Sequence, residues 1–248
     1  REDVVNCDFA YTSVFLEPKE PDVFTEVGFM VTPKPDGPRA RGGALVRMEQ
    51  GRWVLSLGGR YGDFPPRDLD GLMDYARSID EPLLTRLIDA AEPVSEPAHY
   101  RFPAERRRHF EELDRFPSGL LPLGDAICHY NPLYGQGMSA SCRQAVALGG
   151  VLARCRDGEF PLGELWREFL PEAYQETRAP WLMAVAADFM DDRCTGDFPA
   201  EEAAALKFVQ TAAVRAQQGD AQAGQLLGAI SSMQARLASI DGVELEGA

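Results

Sequence analysis

Residues 124–139 carry the side chains whose types and spacing could do chemistry in this chain. Asp125 follows a predicted strand that ends at Gly124, and its carboxylate can accept hydrogen bonds from ligand hydroxyls. Gly135 and Gly137 bracket the start of a predicted helix. The free N–H groups and the dipole of a helix N-terminus favour negative charge or an electron-rich oxygen. The segment therefore has the parts of a ligand-binding loop.

Three interpretations of this segment compete. The series Gly135-x-Gly137-x-x-Ala140 has the glycine spacing of a dinucleotide-binding fingerprint, but such a fingerprint follows its strand directly. Here residues 130–134 separate the strand from the glycines. A second interpretation is a glycine-rich loop that only turns the chain. Independently of these interpretations, Ser139 could cap part of the turn that starts the helix. The third interpretation uses all sixteen residues together.

Residues 124–139 resemble the second flavin-binding motif of FAD-dependent monooxygenases of the para-hydroxybenzoate hydroxylase type, the group A flavoprotein hydroxylases and epoxidases. That motif is Gly-Asp-Ala, about five further residues, Pro, and a Gly-rich turn that opens a helix. All sixteen positions fit the pattern without a gap. Residues 115–121 (Arg-Phe-Pro-x-Gly-Leu-Leu) and the upstream sheet also look like this family, especially its hydroxylase and epoxidase-like branch.

The resemblance implies an FAD site. By resemblance, Asp125 would bind hydroxyls of the ribityl chain, Gly124 would let the cofactor pass close, and Pro132 would lie near the reactive edge of the isoalloxazine ring. The backbone that follows Pro132 would face the pyrimidine edge. The implied cofactor-binding residues are Gly124, Asp125, Pro132, Gly135, Gln136, Gly137, Met138 and Ser139.

Some positions depart from the family. Many relatives have His at the position of Cys128 and Asn at the position of Ser139. We expect Cys128 to be a buried small residue with no proton-transfer role. His129 and Tyr130 follow the strand and could reach a substrate, which makes them weak candidates for catalysis. No catalytic acid or base is otherwise identified, and we expect no metal site.

Two family motifs do not occur in these 248 residues. They are the first FAD motif, a strand–Gly-x-Gly-x-x-Gly–helix unit that holds the ADP half, and the middle motif that contains Asp-Gly. The series at 58–62 has the wrong spacing for the former. Together with the first residue being Arg1 rather than Met, this predicts the carboxyl-terminal portion of a longer protein. Its partner would be the missing N-terminal FAD-binding segment.

The elements that must position this segment predict an α+β fold. Residues 1–103 would form a substrate-binding domain, an antiparallel sheet with helices that supplies one wall of the substrate pocket. Residues 104–157 would form the C-terminal part of an FAD-binding α/β domain, and 158–248 a helical tail. Strands are predicted by alternation and β-branched or aromatic content over 4–16, 23–32, 43–49, 52–57, 98–102 and 120–123. Helices are predicted over 69–76, 83–91, 137–152, 200–218 and 221–239, with a further helical region after Gly163.

Composition excludes several classes of partner. With 39 acidic and 25 basic residues the chain has a net charge of −14, so nucleic acid is a poor partner, as is an anionic membrane surface. Five cysteines without Cys-x-x-Cys spacing predict reduced thiols and a cytoplasmic protein. No signal peptide or membrane span is expected. The basic run 106–109 is interpreted as a solvated strand or loop, with a cofactor-phosphate contact as the alternative.

The function implied by the resemblance is part of an FAD-dependent monooxygenase, a hydroxylase or epoxidase. It would use NADPH or NADH as reductant and act on an apolar or aromatic small molecule, and the fragment alone would be inactive. Two alternatives stay open. One is a flavin-dependent enzyme of the same fold, either a geranylgeranyl reductase-like reductase or dehydrogenase or a halogenase, although the halogenase string Trp-x-Trp-x-Ile-Pro is absent from these residues. The other is a non-catalytic ligand-binding fragment.

Overall fold

The structure, a computed structural model, describes residues 1–20, 23–26, 28–31, 41–196 and 202–232. The chain divides into two compact units. We call Cys7–Ala104 the sheet unit, and Arg1–Asn6 together with Glu105–Ala248 the helical unit. Antiparallel strands and six α-helices occur in the described residues, which confirms the α+β class.

The sheet unit is built on one long strand. Its strands are β1 Glu2–Pro18, β2 Gly28–Val31, β3 Gly42–Arg47, β4 Trp53–Arg60, β5 Ala91–Pro93 and β6 Ala98–Arg108, of which β1 and β6 continue into the helical unit. The order β2-β3-β4-β1 is antiparallel throughout, and β5 pairs with the end of β1. Gln50 and Gly51 have φ values of 63° and 75°, which is the predicted turn between β3 and β4.

Two amphipathic helices cover the core of the sheet unit. They are α1 Leu69–Arg77 and α2 Pro82–Asp89, close to their predicted bounds. The Asp68 carboxylate caps α1 by accepting a hydrogen bond from the Gly71 amide, and Pro82 lies in the first turn of α2, where its missing N–H costs nothing. Alternating residues of β1 and β4 pack with both helices in one buried cluster that includes Val14, Leu16, Leu55, Leu57, Leu72 and Leu87.

The helical unit contains two short strands and four helices. They are β7 Cys128–His129, which pairs with β6, β8 Thr195–Gly196, which pairs with β1, α3 Gly137–Arg156, α4 Leu165–Asp188, α5 Ala203–Gln217 and α6 Ala221–Ser231. α4 is the most buried of these helices in the described residues. Its Phe169 and Trp181 share a buried cluster with Val151 of α3 and with Ile127. None of the described helices combines the length and apolar character needed to cross a membrane.

Three predictions about elements need correction. The strand predicted over 120–123 is wrong, because Leu120 is 58% exposed, Pro122 has no N–H to donate, and no described strand pairs with this segment. The basic run is not solvated throughout: it ends β6, and Arg107 and His109 are buried. The strand predicted over 23–32 is formed only over Gly28–Val31 in the described residues. Residue 32 and residues 200–201 and 233–239 of the predicted helices lie outside the described residues.

Candidate flavin site

The candidate site is a loop between β7 and α3 together with the turn that precedes β7. That turn is a single 3₁₀ turn over Gly124–Ala126, and a second one follows over Pro132–Tyr134. Gly124 and Gly135 have φ values of 61° and 65°, the left-handed region in which a side chain is strained. Glycine is therefore favoured at both positions, where the chain reverses on either side of β7.

Asp125 lies beside the first turn of α3. Its side chain is 65% exposed, and its Oδ2 atom is 3.7 Å from Nε2 of His129. A Cβ atom built on Gly137 would lie 3.8 Å from the Asp125 Oδ1 atom and 3.9 Å from the ring of Tyr130. The structure thus brings together Asp125, His129 and Gly137, three of the predicted site residues. An exposed carboxylate in this position can accept hydrogen bonds from ligand hydroxyls.

The N-terminus of α3 is uncapped within the described residues. Gln136 occupies the cap position without a capping hydrogen bond, and its Nε2 atom donates to the Ser231 carbonyl of α6 at 3.1 Å. The capping role predicted for Ser139 is wrong, because Ser139 is the third residue of the helix. The amides of the first turn, which includes the 84% exposed Met138, have no intrahelical acceptor. They can donate to an electron-rich group that approaches the helix end.

The two weak catalytic candidates have different surroundings. His129 is partly exposed beside Asp125, whereas Tyr130 is buried. Burial raises the pKa of the Tyr130 phenol well above its usual range, and the neighbouring Cys128 thiol raises it further. Cys128 is fully buried, as expected, and burial also raises the pKa of its thiol. Catalytic roles for His129 and Tyr130 stay predictions.

Sequence reasoning missed the buried residues that support the loop. Asn131 is fully buried and its Nδ2 atom donates to both Asp188 oxygens, at 3.3 and 3.1 Å. The Tyr134 hydroxyl donates to Asp188 Oδ1 at 2.5 Å, and the backbone N–H of Asn131 donates to Glu105 Oε1 at 2.8 Å. An Asn before Pro132 is a local signal for a turn, and its Oδ1 does accept from Leu133. No local signal identifies Asp188.

Further side chains hold the Gly124–Ala126 turn. The buried Gln144 of α3 accepts from the Gly124 amide at 2.7 Å. Arg108, at the end of the basic run, donates to the carbonyls of Asp125 and Ala126 at 3.3 and 3.1 Å. Its guanidinium is therefore a backbone support here, and its predicted alternative as a phosphate contact stays untested.

A cleft and a cluster of titratable side chains lie outside the predicted site. A shallow cleft is lined by residues that include Trp166, Arg167 and Pro171, and it contains none of the predicted residues. His109, Glu111 and Glu112 each have one side-chain atom that could ligate a metal ion, and these three atoms lie within 4.8 Å of one another. Because both His109 nitrogens are within hydrogen-bond distance of carboxylates of Asp3 and Glu111, we assign no metal to this group.

Comparison with known proteins gives one curated relative. Over 153 residues the chain is 31% identical to Protein Rv3254 of Mycobacterium tuberculosis (strain ATCC 25618 / H37Rv), which is 62% of this chain and 32% of that protein. The match thus spans about a third of the length of the curated relative. No family model matches the chain.

Solved structures of flavoproteins share the fold. The flavin-dependent brominase Bmp2 matches with a TM-score of 0.54 at 14% identity, over 72% of this chain and 42% of that chain. PqsL of Pseudomonas aeruginosa, described as a probable FAD-dependent monooxygenase, matches with a TM-score of 0.53 at 18% identity, over 73% of this chain and 48% of that chain. HpxO of Klebsiella pneumoniae, complexed with FAD and uric acid, matches with a TM-score of 0.50 at 20% identity, over 75% of this chain and 44% of that chain. The resemblance to FAD-dependent monooxygenases is therefore confirmed at the level of the fold.

Proposed function

We propose that this chain is part of an FAD-dependent monooxygenase and that residues 124–139 contact the flavin. The observation that carries the proposal is the exposed Asp125 carboxylate beside the uncapped start of α3 at Gly137. The carboxylate accepts hydrogen bonds from hydroxyls, and the helix amides donate to electron-rich atoms. FAD carries both kinds of group, hydroxyls on its ribityl chain and oxygen and nitrogen acceptors on its ring.

The helix N-terminus would supply electrostatic stabilisation. When bound and reduced, FAD supplies the oxygen-activating chemistry of this class of enzyme. The amides of Gly137, Met138 and Ser139 would stabilise the negative charge on the ring through the helix dipole. The chain would also orient the ring, since Pro132 and its neighbours are held by buried side chains. NADPH or NADH is the proposed reductant.

Aromatic side chains of the sheet unit favour the proposal that the substrate is apolar or aromatic. The rings of Phe9 and Tyr11 stack at 6.1 Å, and those of Tyr11 and Tyr100 at 5.1 Å. Tyr100 is exposed, as is Phe15 further along the same strand as Tyr11. Phe9 is buried, whereas Tyr11 is partly exposed and Tyr100 is exposed. The Tyr11–Tyr100 pair therefore offers flat apolar contacts of the kind that aromatic ligands use. We propose this surface as a wall of the substrate site.

Exposed apolar residues support a proposed partner, a segment that carries the ADP-binding motif of an FAD site. Val146 of α3 is 78% exposed, Leu152 is exposed further along α3, and Leu120 and Leu123 are exposed in the segment before the Gly124 turn. Large exposed apolar side chains such as these are candidates for contact with a further segment. We propose that the segment with the ADP-binding motif covers these residues. The curated relative is long enough to contain such a segment, because the match accounts for only 32% of it.

The experiment that tests the proposal uses the full-length protein. Purified enzyme should carry FAD or regain a flavin absorption spectrum on reconstitution with FAD. A protein that does neither would contradict the proposal. Asp125→Ala should lower the flavin content, while Asp157→Ala, an exposed carboxylate at the other end of α3, should not. Unaltered flavin content in the Asp125 variant would remove this residue from the site. FAD titrated into the 248-residue chain alone should bind weakly or not at all.

Flavin-dependent reductases and halogenases are the alternative enzymes. The fold match to a flavin-dependent brominase keeps the halogenase alternative in view. Product formation that requires oxygen and is independent of halide would support the monooxygenase. Product formation without oxygen would favour a reductase, and a requirement for halide would favour a halogenase.

A further inference from the structure

The candidate flavin loop is held from the protein interior by two buried carboxylates. Asp188 is the last residue of α4 and is fully buried, as is Glu105 of β6. Asp188 accepts from the side chains of Asn131 and Tyr134, and Glu105 accepts from the Asn131 backbone amide. All four residues belong to the helical unit. Asp188 therefore bonds to both ends of the 131–134 turn, and Glu105 bonds to its start.

The hydrogen bonds of Asn131 match its donors and acceptors closely. Its amide N–H donates to Glu105, its Nδ2 donates to Asp188, and its Oδ1 accepts from Leu133 at 3.1 Å. Because the donors and the acceptor of Asn131 are satisfied in this way, any other conformation of its side chain leaves a buried group without a partner. Pro132, in contrast, is exposed on the outer side of the turn. The turn thus has a fixed inner side and an accessible outer side.

We infer that Asp188 is a positioning residue for the cofactor: it sets the conformation of the loop that the flavin contacts, without contacting the flavin itself. The inference rests on the proposed function. A loop that already has its bound conformation loses less conformational entropy when the ligand binds, so Asp188 raises the affinity for FAD. The residue lies 57 positions from Asn131, at the end of a helix that is otherwise part of the core.

The test is the dissociation constant of FAD in the full-length protein, measured by flavin fluorescence. Asp188→Asn keeps the size of the side chain but places an amide donor against the Nδ2 donor of Asn131. Its dissociation constant should rise about tenfold, the effect of losing one hydrogen bond to a charged group. Glu176→Gln is the matched control, since Glu176 is another buried carboxylate of α4 but pairs with Arg143 of α3. It should lower the melting temperature and leave the dissociation constant within about twofold.

Two further variants separate positioning from general stability. Exchanging the partners in Asn131→Asp/Asp188→Asn restores a donor opposite an acceptor and should recover part of the lost affinity. Tyr134→Phe removes the hydrogen bond from the Tyr134 hydroxyl to Asp188 and should raise the dissociation constant about threefold. This variant decides the question if Asp188→Asn does not fold. The flavin absorption spectrum should shift in Asp188→Asn and not in Glu176→Gln.

The outcomes are distinct. Wild-type protein that binds no FAD overturns the proposed function. Wild-type protein that binds FAD, together with unchanged affinity in both Asp188→Asn and Tyr134→Phe, overturns only the positioning role. Equal loss of affinity in Glu176→Gln also overturns it, because the effect would then follow stability rather than loop geometry.

Discussion

The side-chain oxygen of Gln144 accepts a hydrogen bond from the backbone amide of Gly124 at 2.7 Å. This bond joins the middle of α3 to the turn that presents Asp125. Gln144 is fully buried, and a Cβ atom on Gly124 would come within 2.9 Å of the Ser141 hydroxyl oxygen. The turn therefore packs directly on the helix whose N-terminus forms the other half of the candidate site.

Replacing Gln144 by Leu should expose the importance of this bond. The Gly124 amide would lose its acceptor, so the free energy of unfolding should fall by about 1–3 kcal/mol in urea denaturation. In the full-length protein the same change should weaken FAD binding. Gln222→Leu, at an exposed position of α6, serves as the control and should change stability by less than about 0.5 kcal/mol. Equal stability of the two variants would contradict the prediction.

His109 should make the stability of the helical unit depend on pH. Burial alone lowers its pKa, but hydrogen bonds to the Asp3 and Glu111 carboxylates outweigh burial and raise the pKa from 6.5 to about 8. Because the folded-state pKa lies above the unfolded one, the stabilisation is complete below pH 6.5 and is lost as pH rises through about 8.

The measurement is urea denaturation of the wild type and His109→Asn at several pH values across this window. The wild type should lose stability from pH 6.5 to above 8, and the variant should show a flatter profile. A wild-type profile no steeper than that of the variant would rule out His109 as the source.

The five cysteines should differ in reactivity. Cys128 is buried and burial raises the pKa of its thiol, whereas Cys142 is exposed on α3. Because the thiolate is the reactive form, iodoacetamide should modify Cys142 at least about tenfold faster than Cys128 in the folded chain. Mass spectrometry of timed samples gives the two rates, and modification in denaturant should remove most of the difference. Similar rates in the folded protein would show that Cys128 is accessible.

Two glycine substitutions should have opposite effects on stability. A Cβ atom on Gly59 of β4 would overlap the Asp63 carbonyl oxygen, so Gly59→Ala should destabilise the sheet unit by about 1–3 kcal/mol. Gly224 lies in α6 with no atom near its Cβ position, so Gly224→Ala should stabilise by about 0.5–1 kcal/mol through helix propensity. Thermal denaturation of both variants checks the signs, and a stabilising Gly59→Ala would contradict the packing around β4.

Many of the elements could be predicted because their signals are local. Strand β1 alternates buried and accessible residues, and α1 combines an apolar stripe with Asp68 as its cap. Such patterns depend on neighbours a few positions away, so they survive without knowledge of the fold. The start of α3 at Gly137 was predicted for the same reason. The sequence alone thus located the loop that carries the candidate site.

Residues 120–123 show where local signals fail. The apolar run has strand composition, yet a strand exists only if another strand supplies the hydrogen bonds, and no described strand does so. The prediction that the basic run 106–109 is solvated is wrong for a similar reason. Arg107 is buried with its guanidinium carbon 4.0 Å from the centre of the Tyr174 ring, and a guanidinium nitrogen lies 3.8 Å from a Glu202 carboxylate oxygen. The charge of Arg107 predicted exposure to solvent. In the fold, partners that are distant in sequence offset part of the free-energy cost of burying this charge.

The sequence by itself determined the antiparallel sheet, the amphipathic helices and the position of the Gly-Asp and Gly-x-Gly residues. Only the tertiary structure decided what lies beneath them, above all the pairing of Asn131 with Asp188 across 57 residues. The physical reason is that periodicity and caps are short-range properties of the chain. The partner of a buried polar group, in contrast, is whichever complementary group the packed fold brings within hydrogen-bond distance.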